Sequence, residues 1–217
     1  MPLPHLDCTT EQRRLLLCQE YTIHVDDCIP LYGGHTVRSD ANNRIIRDHY
    51  YQFSCQHNIR RDMYVILCGE NAARHLCSII GEPLPSVFNP YLSEGRVEHG
   101  GGNNNIQVEW NHDRRCFYYA VRLFIMRYQN ALTPGTKIFR LLKSIEGSHQ
   151  NTPPQRFHFE DFSSIVDGFH TNIPLIVQEL AQFGNIRNFN FANLELYMSK
   201  EMNIPDNIFS INHSQAH

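Results

Sequence analysis

The sequence predicts a mainly β chain with helices, the α+β class, on three observations. Its 217 residues with 41% apolar content are enough for one core and require no second domain. Most apolar runs are short and bounded by Gly, Asn, Asp or Ser clusters, the pattern of strands. Only three stretches carry helical spacing or caps. Disorder, collagen and coiled coil are excluded by the same composition.

The first element, Thr9-Thr10-Glu11-Gln12 running into Arg13-Arg14-Leu15-Leu16-Leu17-Cys18-Gln19-Glu20, reads as a helix with a capping box, Thr9 facing Gln12. Its three leucines are consecutive, so at about 100° per residue they spread over most of one turn. No single neighbouring surface can bury all three. A helix this short is marginal alone, so it docks, either on its own domain or, as an arm, among other subunits.

Tyr21 to Ile29 and Arg44 to Phe53 are the next predicted strands, separated by Tyr32-Gly33-Gly34 and Ser39-Asp40-Ala41-Asn42-Asn43 turn signals. Asp62 to Cys68 has the character of a buried strand, and Asn71 to Ile80 of a short helix. Ile106, Val108 and Trp110 alternate with polar residues, as in a half-buried strand. The run Phe117 to Met126 is apolar on both alternating faces and reads as a strand covered on both sides, with a helix competing. Ile138 to Ile145 and Phe157 to Phe159 are further strand candidates. Ile173 to Phe183 is the clearest helix, with Asn172 to cap it and Gly184 to end it. Phe189 to Met198 reads as a strand with a bulge at Ala192-Asn193.

A net charge of −3 gives no basic footprint for nucleic acid, and no apolar run approaches the length of a membrane span. With no secretory leader pattern at the N-terminus, the expectation is a cytosolic chain. The charges are unusual in kind. Sixteen of the 19 basic residues are Arg, and only Lys137, Lys143 and Lys200 are Lys. Arg is weakly hydrated and binds as a planar fork, which suits a surface that touches protein, although a compositional bias would leave the same imbalance. All seven cysteines lie in the first 116 residues, an odd number that points to free thiols in a reducing compartment.

Chemical motifs are sparse. Cys68, His75 and Cys77 are the nearest approach to a metal set but lack the close Cys pairing of structural zinc. No cysteine sits in a glycine-flanked nucleophile turn, which makes a thiol (Cys/His) enzyme the alternative reading rather than the first. A small nucleotide- or protein-binding module comes third. Gly100-Gly101-Gly102-Asn103-Asn104-Asn105 lacks the Lys-Ser/Thr ending of a phosphate loop, and Glu94, Glu98 and Glu109 offer no acid–base spacing. The coherent set is the groups that ionise in alkali: seven thiols and ten tyrosines, including the doublets Tyr50-Tyr51 and Tyr118-Tyr119. At reference pKa values they would take the chain from −3 to roughly −15 by about pH 10, and a packed assembly would repel itself.

Glu11-Gln12-Arg13-Arg14-Leu15 running into Gln19-Glu20-Tyr21 resembles the N-terminal helix region of the cypovirus polyhedrins. Phe191-Ala192-Asn193-Leu194-Glu195-Leu196, with Asn203-Ile204-Pro205 and Ser210-Ile211-Asn212-His213-Ser214, resembles their C-terminal strand and tail. Weaker likenesses are Gln56-His57-Asn58 and Gly69-Glu70-Asn71-Ala72-Ala73-Arg74. The match covers about sixty residues, none of them a catalytic motif. The resemblance implies a β-sandwich core flanked by helices, with residues 1–20 as a projecting helical arm and 21–217 as one domain. It implies a viral occlusion-body matrix protein without enzymatic activity, made in the host cell cytoplasm. Such a protein forms homotrimers that pack into a crystal lattice around virus particles and dissolve in alkali. The assembly arm would be Glu11, Gln12, Arg13, Arg14, Leu15, Leu16, Leu17 and Glu20, and the alkaline-titrating groups Tyr50, Tyr51, Tyr118 and Tyr119. No cofactor is required. Some members hold nucleotides between subunits, but no residues here match such a site.

Overall fold

The computed structural model describes residues 6–91, 110–147, 149–205 and 207–210. The glutamates at 94, 98 and 109, the glycine–asparagine run and all of the expected strand at 106–110 except Trp110 lie outside these. The chain is α+β, with seven α-helices and five strands among the described residues and more helix than strand. It separates into two compact units, Met1–Asn89 and Pro90–His217, so α1 belongs to the first of them.

In the first unit α1 (Glu11–Glu20) passes without a loop into β1 (Tyr21–Pro30), because Tyr21 is at once the C-cap of the helix and the first strand residue. The cap is Thr10 rather than Thr9: its side chain accepts the Arg13 N–H. A two-stranded ribbon follows, β2 (Val37–Arg38) with β3 (Ile45–Ile46), and then β4 (His49–His57) and β5 (Met63–Cys68). β1, β4 and β5 form an antiparallel sheet in the order β1-β4-β5. The bulge in β1 falls between Val25 and Asp27, at the Asp-Asp doublet. The extra residue, Asp26, is buried, and its carboxylate accepts hydrogen bonds from Gln52 and Ser54 of β4. Bulging therefore hands a strand-breaking acid to two partners on the next strand, which offset its desolvation.

One sheet face carries Tyr21, Ile23, Tyr51, Phe53, Cys55, Ile66 and Cys68. Packed into the same core are Ala73, Leu76 and Cys77 of α2 (Glu70–Ile80), a helical stripe at spacings of three and four. Gly81 ends α2 with φ +73°, the left-handed conformation a glycine C-cap supplies.

The second unit is helical: α3 (His112–Arg127), a 3₁₀ turn (Gln129–Ala131), α4 (Lys137–Glu146), α5 (Arg156–Gly168), α6 (Ile173–Ala181) and α7 (Ala192–Lys200). The runs expected as strands at 117–126, 138–145, 157–159 and 189–198 are all helical over most of their length. In α3 and α4 the caps outweigh residue preference for strand. Asn111 accepts the Asp113 and Arg114 N–H groups at the start of α3, and Thr136 caps α4. In α4 the buried residues Ile138, Leu141, Leu142 and Ile145 mark a helical stripe. α3 is buried almost all round, so its apolar residues showed no period. Its Phe117 and Phe124 pack edge-to-face on Phe162, Phe159 completes this buried aromatic core, and half-exposed Phe169 lies edge-on to Phe124 at its rim.

α6 is as expected, capped by Asn172 through the Leu175 N–H, but it ends at Ala181. Gly184 has a different reason to be glycine: a Cβ there would lie 2.8 Å from Cδ1 of Tyr91, whose ring covers it. The C-terminal segment is tied to α7 by buried Asn207. Its amide group donates to the backbone oxygens of Glu195 and Ile204 and to Ser199, and its oxygen accepts the Phe209 N–H.

Candidate functional site: the terminal helix and the buried acids

The residues of the expected arm divide sharply by face. Arg14 is buried, while Glu11, Gln12, Arg13, Leu15, Leu16 and Glu20 are exposed. The Arg14 Nε–H donates to Nδ1 of His75 on α2 at 2.9 Å, and its Nη1 donates to the Cys8 carbonyl at 2.9 Å. Leu17 and Cys18 pack against the sheet core, whereas Leu15 and Leu16 are 48% and 50% exposed. The leucine triplet is thus split as its geometry requires, one facing inward and two outward. Arg13 pairs with Asp7, which folds the segment before the helix back onto it. What the sequence did not disclose is that Arg14, half of an Arg-Arg pair of the kind usual on solvated faces, forms the inner anchor.

The alkaline-titrating candidates sit in two settings. Tyr50 and Tyr51 on β4 are 3% and 2% exposed. Burial pushes both phenols well up, helped by Asp27 beside Tyr50 and by Cys28, the cross-strand neighbour of Tyr51. Tyr118 and Tyr119 on α3 are half-buried: Tyr118 lies against Trp110 and beneath Arg122, and Tyr119 against Phe189.

The thiols follow the β4 tyrosines. Burial pushes Cys8 up to about 12, with Asp40 adding to it and Arg14 opposing. Cys55 and Cys68 are raised well up too, first by burial and then by acidic neighbours that include Cys8 and Asp40. Cys18, Cys77 and Cys116 are also raised, chiefly by burial. All seven cysteines are free thiols. The charge of about −15 reckoned at reference values therefore overstates what the folded chain reaches at pH 10, because buried Cys8, Cys55 and Cys68 and at least two phenols hold their protons.

For nucleophilic chemistry the nearest pair is Cys116 with His112, one turn apart on α3, with Sγ 3.9 Å from both ring nitrogens. The Cys116 thiol is raised by burial and Asp113, opposite to the direction that activates a nucleophile. Ser144 and buried His158 are 3.0 Å apart, but Nδ1 of His158 accepts the Gln155 N–H. That fixes the proton on Nε2, which then points at the serine, the wrong tautomer for a base. His75, from the sequence cluster with Cys68 and Cys77, faces the Arg14 guanidinium, which repels a cation. Among the described residues no group of three or more His, Cys, Asp or Glu side chains could hold a metal, and no helix is long and apolar enough to cross a membrane.

Compared with protein families, curated proteins and solved structures, the chain matches none.

Proposed function

We propose that this chain is a structural self-assembly protein of the polyhedrin kind, building an intracellular crystalline matrix around virus particles, without catalysis. The observation that carries the reading is the two-sided terminal helix. Its inner side is locked by Arg14, and its outer side presents Leu15 and Leu16 between exposed Glu11, Gln12, Arg13 and Glu20. A rigid, half-apolar helix face is suited to contacts repeated through a lattice, where each need not be strong because many are made at once. Three lysines against sixteen arginines support it, since little flexible surface has to be ordered. In this proposal residues 1–20 link homotrimers through the outer face of α1, and the three-stranded sheet is one leaf of a sandwich.

Alkali opens the matrix by a route different from simple surface charging. The buried thiols and phenols ionise only when the first unit loosens, so rising pH acts on the fold itself. Expression of the single chain in cultured cells tests the proposal. Refractile cytoplasmic particles should form, resist neutral buffer and dissolve at about pH 10 to 11. A chain that stays dispersed and monomeric when concentrated at neutral pH, with one cysteine alkylating far faster than the other six, would replace this reading with the thiol enzyme.

A further inference from the structure

Two histidines hold the terminal helix in place, and each does so as an acceptor. The buried Arg14 guanidinium carries only donors, so its 2.9 Å bond from Nε to Nδ1 of His75 requires that ring nitrogen to be free of a proton. At the other end of α1 the loop joining β4 to β5 is built on His57, whose Nδ1 accepts both the Ile59 and Arg60 N–H groups, at 3.1 and 3.2 Å. That nitrogen must be bare as well. The loop in turn moors the end of the helix: the Asn58 N–H donates to the Glu20 carbonyl and its Nδ2 to the Gln19 carbonyl.

A proton on either Nδ1 turns an acceptor into a donor that faces donors. On His75 it also sets a positive charge against the Arg14 guanidinium, which is buried and weakly screened. Among the other charged and titratable groups around α2, Glu70 pairs with Arg74 on the helix itself, and Glu82 past its end pairs with His24 of β1. Cys8 before α1, Cys28 of β1, and Tyr51 and Cys55 of β4 are buried in the sheet core, Cys18 of α1 packs against it, and Glu11 of α1 is exposed. Around His57 are the Tyr21 ring of β1, edge-on at 5.0 Å, with Tyr64 of β5 behind it, and Glu20 of α1, Arg61 and the Arg60–Asp62 pair.

We infer that His75 and His57 form an acid-operated latch on α1. When both take up protons, Arg14 is expelled, the loop lets go of the helix end, and α1 leaves the sheet. The strands keep their own ladders and stay folded. Docking is complete above the value of about 6.5 at which a free histidine is protonated, and it weakens by about tenfold per histidine for each pH unit below. The direction is opposite to that of the buried thiols, whose ordinary value of 9.0 places their effect in alkali. The helix is therefore held in the neutral interval between the two. The latch belongs to the single chain, so it stands apart from the self-assembly reading; where residues 1–20 link trimers, acid unfastens that link.

Amide hydrogen exchange of the full chain at about pH 7 and about pH 5, normalised for the intrinsic rate, tests the latch. Protection of residues 11–20 should fall by at least about tenfold, while that of Gln52 to Cys55 in β4 holds. The double variant His57→Asn with His75→Asn, whose amide oxygens accept as Nδ1 does but take no proton, should keep α1 equally protected at both values. The wild-type chain supplies a check that needs no variant. Nitrogen NMR of the imidazole rings should show Nδ1 of His57 and of His75 unprotonated at neutral pH, and protonated over the same interval in which α1 loses protection. Protection of α1 that stays flat into acid, that falls as far in the double variant, or that falls together with that of β4 would overturn the latch. So would a proton on either Nδ1 at neutral pH.

Discussion

Raising the pH from about 8 to about 11 should unfold the first unit, and the slope of the loss follows from its buried thiols. Cys8, Cys55 and Cys68 are fully buried, and each holds its proton above the ordinary thiol value of 9.0. The folded chain therefore binds more protons than the unfolded chain once the pH passes 9. A raised acid of this kind leaves stability intact below its unfolded pKa and removes it as pH climbs toward the folded one. Each such thiol costs about 1.4 kcal/mol per pH unit in that window, so the three together cost about 4. For Cys8 alone, raised from 9.0 to about 12, the full loss is about 4 kcal/mol. Tyr50 and Tyr51 steepen the fall above pH 10. Against a typical total of about 5 to 15 kcal/mol, stability would be exhausted within about two or three units above pH 9. The assay is urea unfolding by circular dichroism across this range, with phenolate absorbance followed in parallel. Each Cys→Ala substitution among the three should remove about a third of the slope, and Tyr50→Phe should raise the pH of unfolding. Stability that stays flat between about pH 9 and pH 11, or phenolate that forms fully before the dichroism changes, would refute the reasoning.

The other predictions are more local. Arg14→Met strands the His75 and Cys8 acceptors and should cost about 1 to 3 kcal/mol in urea unfolding, with amide exchange rising in α1. Gly184→Ala forces the Tyr91 ring aside and should lower stability by about 1 to 3 kcal/mol, with partial recovery when Tyr91→Ala is added. Asn207→Ala removes a buried hub and should cost about 2 to 4 kcal/mol, measured as a fall in Tm. His158 is lowered by burial and by Arg114, so its share of stability is complete above pH 6.5 and declines as pH drops below that. His158→Gln should flatten the acid limb of a stability–pH curve for the helical unit.

The sheet unit was legible because its strands announce themselves twice, by alternation and by the Gly-Gly and Asn-Asn turns around them. Its bulge was not foreseen, because an Asp-Asp pair inside a strand shows a conflict without showing that Gln52 and Ser54 resolve it. The helical unit was harder to read. Phe117 to Met126 has strand-favouring residues on every face, and a helix buried all round loses the 3.6-residue period that identifies it. The decisive signals were single capping residues, Asn111 and Thr136, whose weight exceeds that of the aromatic residues they precede. For the candidate site, the division of the leucines followed from helix geometry alone. The burial of Arg14, Tyr50 and Tyr51 did not, since it depends on contacts between residues far apart in sequence, such as Arg14 with His75.

Because Tyr21 closes the helix and opens the strand, no slack separates α1 from β1. Tension on the terminal helix travels straight along β1 and meets its ladder with β4 in shear, where the bonds resist together instead of unzipping one after another. A load on that helix therefore reaches the strand ladder with no intervening linker to stretch first.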